Sequence, residues 1–286
     1  MQREPLLRAL LAAAHGKTFD GKQHVLDALA ELCNVQEGEP PLAAALGAQC
    51  AAALLAESRK PEPVYKRHAL AALARALPAA APATFHQLYD IVKPILTKDE
   101  SSMSKESDEE DNEGARQRRE QLTALKEAAY DLLGKAWPKD ADTQEKYQDV
   151  FFEHCAQSYP SSSRSTQLAI LTSIARVLER LVVLANTGEP METDNATMLN
   201  RDKAISNVTE RVVSIIDYTL KNNNQVRHRR DALNIMEILV KQLKDLNKTE
   251  ELDKLRKIYQ TYAQDLSKDV SHEIRTKVDN IKVHFK

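Results

Sequence analysis

Histidine, cysteine and clustered basic residues are the side chains whose types could support catalysis or ligand binding in this sequence. The eight histidines (His15, His24, His68, His86, His154, His228, His272 and His284) are scattered. No pair has the HExxH spacing that puts two imidazoles on one helical face for zinc, and there is no CxxC. His154 and Cys155 are adjacent, so on a helix they point about 100° apart and do not share a metal. The pair reads as a surface histidine beside a buried cysteine. The seven glycines never cluster where a strand would meet a helix, which leaves no phosphate cradle. The chemistry-bearing residues therefore predict no catalytic residue, no cofactor or metal ligand, and no small-molecule substrate.

Charge offers more. Arg227, His228, Arg229 and Arg230 open a helical segment, where a basic cluster can grip phosphate or an acidic partner. Lys22 and Lys66 start two similar segments and Arg229 starts a third, which makes Lys22, Lys66, Arg227, Arg229 and Arg230 the candidate interaction residues. Ser107, followed by Asp108, Glu109 and Glu110, suits an acid-directed kinase and is the candidate phosphosite. Overall charge is balanced: 40 Lys and Arg face 42 Asp and Glu, a formal net charge of -2. That argues against a protein that coats nucleic acid.

These residues must be positioned by helices. Among 286 residues, 42% are hydrophobic but only 5% aromatic, and 7 Gly and 11 Pro supply little for the tight turns of an all-β fold. Helical periodicity recurs near 4–14, 21–34, 41–57, 63–77, 82–97, 116–136, 141–158, 164–185, 199–221, 226–246, 248–267 and 271–284. The segment KQHVLDALAEL from Lys22 aligns with KRHALAALARA from Lys66, pairing Leu26 with Leu70 and Leu29 with Leu73. RRDALNIMEIL from Arg229 repeats the pattern. A lone helix pair cannot bury its apolar face, so repetition at this spacing predicts stacking. The expected fold is all-α: an α-solenoid of about six HEAT-like antiparallel helix pairs, an armadillo-type superhelix, running through 1–286 as a single segment. No run reaches the roughly 18 apolar residues a membrane helix needs, and three scattered cysteines make no disulfide framework.

Three stretches interrupt the series. Residues 98–115 hold eight acidic side chains and are expected to be a disordered insert. Residues 186–198 read as an inter-repeat loop, and Glu37–Leu42 as a Pro-rich connection. Leu6, Leu7, Leu10 and Leu11 give the first helix an apolar face without an earlier partner, which predicts exposure there. The sole tryptophan, Trp137, ends a helix before Pro138 and is expected to plug a junction between repeats.

GKTFDGKQHVLDALAELC (Gly16–Cys33), the acidic insert leading into the 116–136 helix, and LGKAWPKDADTQEKY (Leu133–Tyr147) resemble the C-terminal portion of the proteasome adapter and scaffold family of HEAT-repeat proteins. The resemblance runs from about Leu6 to about Leu246 and weakens in the last two helices. Family members are much longer, so the chain looks like a C-terminal portion. The resemblance implies a non-catalytic scaffold that binds 26S proteasome subunits and bridges core and regulatory particles. It also implies a cytoplasmic and nuclear location, with membranes reached through partners. A second reading is a HEAT-repeat nuclear transport or vesicle-trafficking adapter that binds a protein cargo through Lys22, Lys66 and Arg229.

Overall fold

The computed structural model describes residues 3–14, 21–33, 44–77, 81–98, 112–185 and 195–285. Among these residues the chain is all-α, with twelve helices and no strand. They are α1 (Arg3–Ala14), α2 (Lys22–Cys33), α3 (Ala44–Ser58), α4 (Pro63–Ala76), α5 (Pro82–Leu96) and α6 (Asn112–Ala136). Then follow α7 (Ala141–Ser158), α8 (Arg164–Leu178), α9 (Asn195–Asn222), α10 (Val226–Asp245), α11 (Thr249–Leu266) and α12 (His272–His284). The helices fall into two compact units, Met1–Trp137 and Pro138–Lys286, a division that periodicity did not mark.

Each unit is built the same way. In the first, α2, α4 and α6 pack side by side as one layer, and α1, α3 and α5 form the other. In the second, α8, α10 and α12 make one layer and α7, α9 and α11 the other. Within each unit every helix thus packs against a helix two places away in the chain, which is how stacked repeats share a core. The repeat register read from sequence is the packed one. Leu26, Leu29, Leu70 and Leu73 are all fully buried, and α2 lies against α4. Arg75 on α4 ties the two together from outside, at 2.6 Å to Asp27 and 3.1 Å to Glu31 of α2.

Local chemistry sets the helix ends. Pro63 and Pro82 occupy the first turns of α4 and α5, where a missing N–H costs nothing. Asp140 caps α7 by accepting the Thr143 N–H at 2.9 Å, and Ser163 caps α8 by accepting the Thr166 N–H at 3.3 Å. Asn247 stops α10 with a left-handed backbone (φ 55), and the Lys248 N–H reaches back to the Leu243 carbonyl at 2.9 Å.

Several boundaries differ from expectation. The 164–185 helix stops at Leu178, and Val182–Leu184 form a separate 3-10 turn. The cause is Gln144 on α7. Its amide donates to the carbonyls of Arg180 (2.8 Å) and Pro138 (2.7 Å), and its oxygen accepts the Val182 N–H at 2.7 Å. A buried side chain therefore satisfies the backbone that a continued helix would have used. Helix α6 begins at Asn112, so the end of the expected acidic insert is helical, while 99–111 lie outside the described residues. Likewise α9 begins at Asn195, inside the expected 186–198 loop, whose residues 186–194 are outside the described set. Residues 37–42 also lie outside it.

The apolar face of α1 is largely covered, contrary to expectation. Leu7, Leu11 and Ala14 are buried with Leu29, Leu46, Cys50 and Ala53, and Leu10 packs against that cluster. Only Leu6 of the four leucines is exposed.

Candidate interaction surface

The basic residues singled out by sequence have quite different surroundings. Lys22, expected on an exposed face, is wholly buried, with 0% of its surface accessible. Its ammonium donates to Glu57 Oε1 at 2.9 Å, and Lys60 approaches Glu57 Oε2 at 2.8 Å. Burial pulls the Lys22 pKa below the ordinary lysine value, with the Glu57 carboxylate working against that pull. The hydrogen bond to Glu57 pushes Lys60 the other way. Lys22 cannot touch a partner in this arrangement; it is a buried cation that ties α2 to the end of α3.

Lys66, its repeat equivalent, is half-buried and borders a surface cavity of about 300 Å³ with Arg59, Gln87 and Asp90. The two lysines share a register but not an environment. His24 is exposed and His68 lies 3.9 Å from Asp27, so the recurrent histidines join no common site.

The Arg227–Arg230 cluster is divided. Arg229 is held at 2.7 Å by Asp269, a buried carboxylate in the α11–α12 connection. Arg230 pairs with Asp231 at 2.9 Å and approaches Glu273 at 3.7 Å. His228 is buried and its Nε2 lies 2.8 Å from the Arg164 carbonyl oxygen at the start of α8. Arg227 is exposed and pairs with no carboxylate among the described residues. Most of this basic word therefore fastens α10 to its neighbours, and Arg227 is the member left facing outward. Ser107 lies outside the described residues.

The word around Trp137 is also internal. The Trp137 ring is fully buried and meets Phe85 of α5 edge-on, with centroids 5.4 Å apart. Cys155 is buried and desolvation pushes its thiol far above the ordinary range, which removes it as a nucleophile. No group of three or more His, Cys, Asp or Glu residues placed to hold a metal occurs among the described residues. No described helix is long and apolar enough to cross a membrane.

Two layers of helices, each packed on its second neighbour, with charged surfaces and buried clasps, define an armadillo-like α-solenoid. Solved structures agree on the fold. The designed armadillo repeat protein YIII(Dq)4CqI matches 98% of this chain over 100% of its own, with a TM-score of 0.56 at 9% identity. Another, YIII(Dq.V1)4CPAF in complex with the peptide (KR)4, matches 98% of this chain over 99% of its own, with a TM-score of 0.53 and 9% identity.

The family model for ECM29 C-terminal ARM-like repeats matches residues 43–280, and the chain belongs to that family. The match runs past Leu246 to within the last helix, so α11 and α12 are part of the family pattern. Among individual relatives, the proteasome-associated protein ECM29 homolog of Drosophila melanogaster is 30% identical over 302 aligned residues, covering 96% of this chain and 15% of the relative. The human proteasome adapter and scaffold protein ECM29 is 28% identical over 248 residues, covering 84% of this chain and 13% of that protein. The chain thus spans about one-seventh of the length of these relatives.

Proposed function

We propose that the chain is a non-catalytic, proteasome-associated scaffold segment. The observation that carries this reading is the match of the family model across 43–280, together with relatives named as a proteasome-associated protein and a proteasome adapter and scaffold. The physical arrangement is consistent with it. Buried charges are held in clasps such as Lys22–Glu57 and Arg229–Asp269, as suits a scaffold whose recognition takes place on its outer surface. Finer roles follow from the same reading: contact with 26S proteasome subunits, bridging of core and regulatory particles, a cytoplasmic and nuclear location, and membrane links through partners. Arg227, exposed, and Lys66, half-buried at the rim of a surface cavity, are the candidates chosen from sequence that pair with no carboxylate among the described residues.

Affinity capture with the tagged 286-residue chain, followed by quantification of proteasome subunits, tests the proposal. Enrichment of proteasome subunits over a tagged designed armadillo protein is the expected result. Capture of transport factors or coat components without proteasome subunits would favour the trafficking-adapter reading instead.

A further inference from the structure

The second unit contains a cavity of about 340 Å³ where the start of α8, the end of α9 and the connection into α10 converge. That volume falls in the range of ligand-receiving pockets. Its lining is polar throughout, without an aliphatic side chain or a carboxylate. The buried side is formed by Tyr159, Gln167 and Thr219, which are already organised. The Thr219 hydroxyl donates to the Ile215 carbonyl at 2.7 Å and accepts from the Tyr159 hydroxyl at 2.7 Å, and the Gln167 amide donates to the Tyr159 carbonyl at 2.9 Å. Burial pushes the Tyr159 hydroxyl up to about 12, so this side of the cavity carries no negative charge at neutral pH.

The outer side is formed by Arg164, Asn224 and Gln225, all exposed. None of these three side chains has a hydrogen-bond partner among the described residues. Arg164 is the single charged residue of the lining. Asp231, on the first turns of α10, pairs with Arg230 at 2.9 Å and is not part of the lining. At the same edge α10 begins with Gln225 as its N-cap, and no side chain caps its open N–H groups. A 20-residue helix presenting uncapped N–H groups adds to the preference for negative charge.

We propose that this cavity is a docking site for an extended acidic segment of a partner protein, with Arg164 pairing one carboxylate and the Asn224 and Gln225 amides pairing the segment's peptide groups. A planar guanidinium matches a carboxylate through two parallel hydrogen bonds. Side-chain amides carry both a donor and an acceptor, as each peptide group does. A carboxylate fits better than a phosphate because the lining holds one cation for a group of nearly two negative charges. A nucleic-acid strand fits poorly, because the lining holds a single cation where a phosphate backbone calls for several. The inference does not depend on the proteasome reading, since it specifies the chemistry of the occupant and not the complex to which it belongs.

The test is fluorescence anisotropy with the 286-residue chain and a short labelled peptide of alternating Glu and Gly. Peptides of alternating Gln and Gly, Lys and Gly, and phosphoserine and Gly serve as comparisons. Saturable binding of the Glu peptide, weakened about tenfold by Arg164→Gln with an unchanged melting temperature, is expected. Asn224→Asp places a carboxylate at the cavity and should weaken the Glu peptide while the Gln peptide binds as weakly as before. The proposal is overturned if the Glu peptide does not bind, if either variant leaves its affinity unchanged, or if the Gln or Lys peptide binds as tightly. A tenfold preference for the phosphoserine peptide would replace the carboxylate occupant with a phosphorylated one and overturn it equally.

Discussion

Removing Glu57 should cost far more than removing Lys22, although the two form one ion pair. Glu57→Gln leaves the Lys22 ammonium, with 0% of its surface accessible, without its carboxylate. Stripping one partner from a buried ion pair typically costs about 3–5 kcal/mol. Lys22→Met is a different perturbation. The methionine keeps most of the apolar stem, and Glu57 retains Lys60 at 2.8 Å, whose side chain is partly exposed. The expected loss is within about 1 kcal/mol, because the desolvation of a buried cation disappears together with its attraction. The double variant should resemble Lys22→Met, since a buried cation that has lost its carboxylate is what makes Glu57→Gln costly.

The readout is favourable. Trp137 is the only tryptophan and sits buried against Phe85 in the same unit as Lys22 and Glu57, so its fluorescence during urea unfolding reports that unit. The pH dependence adds a check with a definite sign. A lysine whose folded pKa is lowered binds fewer protons folded than unfolded, so stability rises with pH below the unfolded value of about 10.4. In the wild type, the raised pKa of Lys60 opposes this trend. Glu57→Gln removes that opposition, so its stability should rise more steeply than wild type between about pH 8 and 10. Equal losses for Glu57→Gln and Lys22→Met, with parallel pH profiles, would refute the buried-cation account.

Leu26→Ala, Leu29→Ala, Leu70→Ala and Leu73→Ala should each cost about 2–5 kcal/mol by the same fluorescence assay, and losses of a few tenths at all four would break the repeat register. Asp140→Ala should cost about 1 kcal/mol through the lost α7 cap, measured by circular dichroism of thermal unfolding. Asn247→Val forces a β-branched residue into left-handed backbone and should cost about 1–2 kcal/mol, whereas Asn247→Gly should be nearly neutral. Burial opposes ionisation of Glu237, but hydrogen bonds from Lys241 (2.8 Å) and Lys277 (2.7 Å) hold its pKa below the usual value. Its contribution is therefore present above the unfolded carboxylate pKa and lost as pH falls through the folded one. Glu237→Gln should accordingly flatten the acid limb of the stability profile.

Helix positions were legible wherever apolar periodicity met a local stop or start. Pro63, Pro82, Asp140 and Ser163 all open their helices as their residue types dictate. The four aligned leucines were legible because a repeat that must stack can bury only that face. What could not be read was burial decided by distant partners. Lys22 and Lys66 look alike in sequence, yet only Lys22 meets a carboxylate 35 residues away that holds it inside. The covering of Leu7 and Leu11 comes from α2 and α3, and the early end of α8 from Gln144, which no periodicity in α8 itself encodes. The α8–α10 cavity was illegible for the same reason: Arg164 and Asn224 are ordinary surface residues until the fold brings them together.

Packing each helix on its second neighbour also bears on how the chain leaves the ribosome. The bonds that fasten α10 to α8, His228 with Arg164 and Gln242 with Leu178, each span 64 residues. At about 5–20 residues per second, synthesis of such an interval takes on the order of 3–13 s, and no bond of this kind waits for the distant terminus. Within a unit each new helix can dock on a layer already in place, so the growing unit exposes roughly one unsatisfied apolar face at a time. Folding can therefore proceed as vectorial accretion, with little demand on chaperones to hold the whole polypeptide open until translation ends.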